Sequence, residues 1–207
     1  MKTNQDPKLQ IEQIKTISKS IQFNNVYVLT GKNGTGKSLV RKLVGFHLAD
    51  KLGTPDAKIV ASTSLQQRTE LKSSFGAFSS IMHDDPSNPT SLETFSKIQA
   101  LLKVLSVNNK RFLVIDEPEI GMGEEMVLAL IDYLNNAFNP LPEFCLGVLI
   151  ITHNRVIVKN LNAEFLNLEN MSKDEWLNRE IVPTDLNKFK EDSLNLFLEI
   201  QNTLNKK

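Results

Sequence analysis

Cysteine is almost missing from this chain. With Cys145 as the single one, neither an intrachain disulfide nor a cysteine zinc cluster can form, and the composition fits a reducing compartment. Cys145 itself reads as a small buried hydrophobe rather than a catalytic thiol. Net charge is missing as well: 24 Lys and Arg balance 24 Asp and Glu. No global field therefore draws the protein onto nucleic acid or an anionic bilayer, so DNA is not indicated by charge, although a local basic patch stays compatible. No apolar run approaches the roughly 20 residues that span a bilayer. The opening MKTNQDPKLQ also lacks the apolar stretch of a signal peptide. The expectation is a soluble, cytoplasmic protein with no membrane insertion. Internal repeats are absent too.

What is present is a chain of 207 residues, 41% hydrophobic and 23% charged, long enough to bury a substantial core as a single domain, 1–207. Disorder and a fibrous repeat are excluded as global descriptions. The run VYVLT at Val26 to Thr30 predicts a buried strand entering a tight turn at Gly31, and Val40, Leu43, Val44 and His47 then recur at helical spacing until Gly53. A second short strand is expected at KIVAS, Lys58 to Ser62. Residues 64–91 are polar and broken by Pro86 and Pro89, which predicts an irregular insertion. Ile98, Leu101, Leu102 and Leu105 mark one face of a helix from about Leu92 to Ser106.

The apolar runs FLVI (Phe112 to Ile115) and VLIIT (Val148 to Thr152) read as strands covered on both faces. Between them a helix is expected from Glu124 to Phe138, closed by Pro140 and Pro142. The tail, 183–207, carries apolar residues among charges and reads as one or two amphipathic helices packing on the body. Strands alternating with helices, with polar residues just past the strand ends, predict an open α/β fold: a mostly parallel sheet flanked by helices, with its site at the carboxyl edge.

The strongest chemical signal is Gly31-Lys32-Asn33-Gly34-Thr35-Gly36-Lys37-Ser38, a complete G-x-x-x-x-G-K-S between a strand and a helix. A polyphosphate needs inward-facing backbone N–H groups, and glycine permits so tight a turn without a Cβ in the way. Asn33, Gly34, Thr35, Gly36, Lys37 and Ser38 are therefore the expected nucleotide-binding residues. Lys37 supplies charge to the β- and γ-phosphates, Ser38 ligates Mg²⁺, and the helix N-terminus favours the same anion. Asp116-Glu117 stands where FLVI ends. Asp116 is the expected second Mg²⁺ holder, a hard cation preferring carboxylate oxygen, and Glu117 the expected base for an attacking water. His153 ends the VLIIT strand and is placed to hydrogen-bond developing charge on the γ-phosphate, with Asn154 as an alternative polar sensor. No aromatic residue is assignable as an adenine platform; Phe23 and Tyr27 are near the loop, but Tyr27 reads as strand core.

GKNGTGKS, FLVIDEPE and VLIITHN in this order resemble the ABC-type ATPases, in particular the soluble branch with SMC, RecF-like and OLD-like proteins. The resemblance covers residues 26–154. It implies a P-loop NTPase fold of the ABC ATPase kind, ATP rather than GTP, Asp116 organising Mg²⁺, Glu117 as catalytic base, His153 as switch histidine, and two protomers enclosing two ATP molecules. The chain departs from the family in several places. At Thr90-Ser91-Leu92-Glu93-Thr94, where the signature is expected, its glycines are missing, and Ser91 is left as the candidate for a contact in trans. Gly123 replaces an Asp that transporter-like members keep, and either Gln66 or Gln67 could be the Mg²⁺-contacting glutamine. The helical subdomain is reduced to 64–106, and no long coiled coil is present. The resemblance and these departures together imply a minimal soluble Mg²⁺-dependent ATPase whose hydrolysis drives assembly with a partner. DNA maintenance or bacterial or phage defence is its expected setting by family analogy alone. The competing expectations are a transporter's ATPase subunit and a nucleotide-gated binding module with negligible hydrolysis.

Overall fold

A strand whose side chains are apolar on both faces is stable only where helices cover both sides of the sheet, and this requirement sets the architecture. The computed structural model describes residues 7–53, 60–63, 90–103, 105 and 110–183, and in the tail 185–187, 190–191, 194–195 and 198. In chain order the elements are α1 (Pro7–Ser20), β1 (Val26–Thr30), α2 (Lys37–Leu52), β2 (Val60–Thr63), α3 (Thr90–Lys103) and β3 (Arg111–Asp116). They continue with α4 (Glu124–Phe138), β4 (Cys145–Ile151), α5 (Arg155–Asn160), β5 (Glu164–Asn167) and α6 (Lys173–Asn178). The five strands form one sheet in the order β2-β3-β4-β1-β5, and every pairing is parallel.

Alternate strand residues divide the core in two. Tyr27, Leu29, Phe112, Val114, Leu149 and Ile151 pack with Ile14, Ile17 and Ile21 from α1 and its exit and with Val40, Val44 and Leu48 of α2. Val28, Leu113, Ile115, Val148 and Ile150 pack on the other face with α3, α4, α5 and Trp176 of α6. The chain thus leaves β1 toward one face, while after β3 and β4 it turns to the other. The ends of β1 and β4 flank a topological switch point, the place where an open α/β sheet leaves a crevice.

The α4 boundaries agree with the apolar spacing, and Gly53 stops α2 in the left-handed conformation, its N–H directed at Ala49 and Asp50 carbonyls. Cys145 is buried, as expected of a small hydrophobe, and Tyr27 is strand core with its hydroxyl accepting from Gln22 N–H. Two expectations need correction. β4 ends at Ile151, so Thr152 belongs to the segment beyond it, and α3 starts earlier and ends at Lys103 rather than near Ser106. In the tail the described residues at 186–187, 190–191, 194–195 and 198 are helical, and Leu186, Leu194 and Leu198 are exposed, while Phe189, Phe197 and Ile200, expected with them to pack on the body, lie outside the described residues. Residues 64–89 lie outside the described residues, and with them Gln66 and Gln67. Among the described residues no helix is long and apolar enough to cross a membrane.

Candidate functional site

The site is built from three neighbouring strand ends. β4 lies between β1 and β3, and the ladder runs on past all three: Thr152 N–H donates to Leu29 O (3.1 Å), and Glu117 N–H to Ile151 O (2.8 Å). The loop after β1, the acidic pair after β3 and His153 after β4 therefore meet at one carboxyl edge.

In the loop, Gly34 (φ 78°) and Gly36 (φ 98°) hold the left-handed conformations that side-chain-bearing residues rarely adopt. A Cβ on Gly36 would also run into the Ile14 side chain of α1. Thr35 closes the turn, its hydroxyl (2.7 Å) and N–H (3.3 Å) both donating to Lys32 O. Gly36 is also the N-cap of α2 and makes no side-chain cap hydrogen bond. The amide groups opening this helix thus have no side-chain acceptor at the cap, an arrangement that favours an anion.

Lys37 folds its ammonium onto the carbonyls of Gly31 and Lys32, at 3.1 Å each. Burial lowers its pKa to about 8, against the upward pull of Glu117, Asp116 and Glu169, so the charged form still prevails at neutral pH. Ser38 is exposed in the first turn of α2. One turn further along, Arg41 reaches Asp116, Nη1 to Oδ2 at 3.8 Å. Burial raises the Asp116 carboxyl, and Arg41 opposes that rise. Among the described residues no three His, Cys, Asp or Glu cluster as a self-sufficient metal centre. The oxygen donors Ser38 and Asp116 suit a hard cation that completes its shell with water and the oxygens of a bound anion.

Glu117 adopts φ 49°, outside the common range for a non-glycine residue. Such a conformation costs on the order of 1–3 kcal/mol and persists only where neighbouring bonds over-determine it. Its carboxylate is 41% exposed and lies 3.9 Å from His153 Nε2. Burial first, then Lys37 and Arg179, lower the His153 pKa to about 4. His153 is therefore neutral at pH 7, and its approach to Glu117 is not an ion pair. Although enclosed, its Nε2 has no hydrogen-bond partner among the described residues.

Asn154 is committed to local structure through its side-chain oxygen. Its Oδ1 accepts from Val156 N–H (2.8 Å) and Ile157 N–H (3.3 Å), which makes it the N-cap of α5. Replacing it with Ala is expected to lower stability by about 0.5–2 kcal/mol, whereas Asn154→Asp should hold it. Urea denaturation of the two variants reads this, and identical midpoints for Ala and wild type would contradict the capping role.

Ser91 is buried, 8% exposed, in the first turn of α3. Gly123 is the N-cap of α4 in an extended conformation, with open space where a Cβ would stand. Phe23 is half-buried against the α1/α2 core.

Several residues reach the site from outside the three motifs. Glu169 has a side chain only 10% exposed and joins Lys32 (3.1 Å) to Arg179 (2.8 Å). The Arg179 guanidinium lies 5.1 Å from the centre of the Trp176 ring. Asn167, at the end of β5, donates to Thr30 Oγ1 (2.8 Å) and accepts from Glu169 N–H (2.7 Å), which fixes the segment carrying Glu169 beside the loop. Arg41 and the α1 residue Ile14 are further examples. The signal for α1 is legible in the chain, since Ile14, Ile17 and Ile21 recur at helical spacing; Glu169 and Arg179 carry no local pattern.

Protein-family models and curated proteins give no match to this chain.

Proposed function

We propose that this protein is a Mg²⁺-dependent ATPase with a P-loop fold of the ABC ATPase kind, which uses ATP hydrolysis to gate its assembly with a partner. The observation that carries this reading is the convergence of the glycine loop, Asp116-Glu117 and His153 on adjacent strand ends in the order β3-β4-β1. The amides of the loop and α2, with Lys37, hold the phosphates, and the α2 N-terminus adds its field. Ser38 and Asp116 are the residues that would hold Mg²⁺, which supplies charge neutralisation between the terminal phosphates.

Glu117 is exposed enough for water to reach it and takes the proton as the water attacks. His153, being neutral, offers one N–H to the charge that builds on the leaving phosphoryl group without repelling the magnesium ion. Lys37 comes away from the Gly31 and Lys32 carbonyls when phosphate oxygens replace them. An ATP-held homodimer belongs to the same proposal, and the burial of Ser91 requires α3 to move or another surface to serve in trans.

The wild-type protein is expected to bind Mg-ATP in calorimetry and to release inorganic phosphate from it. Failure of both measurements would overturn the reading. Binding without release would favour a nucleotide-gated binding module in its place.

A further inference from the structure

Strain at Glu117 requires something that holds the acid loop, and the loop's own backbone supplies only part of it. Ile120 N–H donates to Glu117 O at 3.3 Å and Met122 N–H to Glu119 O at 3.0 Å, which closes the turn but does not tie it to β4. The tie is Glu119. The Thr152 hydroxyl donates to its Oε1 at 2.5 Å, while the same Thr152 oxygen accepts from Asn154 N–H at 2.9 Å. Thr152 is fully buried. A relay therefore runs from Glu119 through Thr152 to Asn154, and it spans the residue that lies between them, His153. The Glu119 carboxylate also faces the backbone N–H of His153.

We propose that Glu119 is a positioning residue that latches the segment carrying His153 to the loop carrying Glu117, so that the two groups keep one geometry during turnover. This rests on the ATPase reading above. Burial raises the Glu119 carboxyl, and the Thr152 hydroxyl opposes that rise. Its second oxygen, Oε2, is buried without a partner among the described residues, so the carboxylate is held through one oxygen. An amide in its place keeps that acceptor, which makes Glu119→Gln the conservative control. Ala removes the acceptor and leaves the Thr152 hydroxyl proton without a partner in a buried site.

The experiment has two arms, applied to Glu119→Ala, Thr152→Val, the double variant and Glu119→Gln. The first, without nucleotide, is amide hydrogen exchange. His153 and Asn154 amides are expected to exchange at least about tenfold faster in the Ala and Val variants and at the wild-type rate in the Gln variant, since protection there reports local opening. The second is ATP turnover. Misplacement by about 1 Å can lower a rate about 10²-fold, so kcat should fall by that order in Glu119→Ala and Thr152→Val with KM for ATP nearly unchanged. The double variant should be no slower than either single one, because both remove the same bond.

Unchanged exchange in Glu119→Ala, or a kcat equal to wild type, would overturn the latch, as would a Gln variant as slow as Ala. Wild-type protein that neither binds nor hydrolyses ATP would instead remove the ATPase reading. The exchange arm would then decide the latch by itself.

Discussion

Lys37→Ala protein is expected to fold and to lose tight nucleotide binding. The Lys37 ammonium already sits against the loop, 3.1 Å from two carbonyls, so phosphate oxygens need only replace acceptors the amine has in place. Hydrogen bonds to charged groups contribute about 1.5–3 kcal/mol each, and losing two of them corresponds to at least about 10²-fold in affinity. The glycine backbone stays intact in this variant, and calorimetry with Mg-ATP measures the difference. Equal affinity in variant and wild type would refute the phosphate role of the loop.

Folding supplies an independent control on the same variant. The native state holds the Lys37 pKa at about 8, below the ordinary 10.5. Between those values the unfolded chain binds more protons than the native one, and stability attributable to this group therefore rises with pH across that window. Below pH 8 the penalty of the buried ammonium is fully present; above 10.5 it is relieved. Wild type should gain stability relative to Lys37→Ala as pH rises from 8 toward 10.5, read as the difference between their denaturation midpoints. A flat difference would mean that the ammonium is not buried in solution.

The second large effect is expected from Glu117→Gln, which should retain Mg-ATP while losing turnover by about 10²–10⁴-fold, the usual contribution of a general base. The amide keeps the size and hydrogen bonding of the carboxylate but cannot take the proton of water. The strained backbone at φ 49° is common to both side chains, so the comparison isolates the proton-accepting role. Neutral His153 at 3.9 Å is the group that would act instead. A variant that turns over like wild type would move water activation there. Glu117→Gln is also the form in which an ATP-held dimer should accumulate, because hydrolysis no longer releases it. Sedimentation with and without Mg-ATP reads this directly, and a monomer at saturating nucleotide would remove the homodimer from the proposal.

The elements that place these groups differ in how openly the chain announces them. VYVLT, the glycines at 31, 34 and 36, and the apolar stripe that comes after them are contiguous, and each carries a local physical signature: β-branched strand, left-handed turn, helical period. The same is true of α4 and of the strand ending at Asp116. β5 and α6 are short and carry weaker signatures, and they bring Glu169 and Arg179 to the loop. Asn154 is a related case, since its role as the cap of α5 is visible only once that helix exists.

Local spacing and residue type were enough for the parallel α/β class, the loop and the pairing of acid and histidine with strand ends, because those properties depend on a few consecutive side chains and on steric rules that act within them. The partners of those groups depend on strand order and on which face each helix covers. Arg41 meets Asp116 because α2 packs on the sheet near the end of β3, Ile14 closes on Gly36 because α1 packs against α2, and Glu119 meets Thr152 because β4 lies beside β3. Long-range packing of the two cores chose these contacts, and packing energy is summed over the whole sheet rather than written in any one segment.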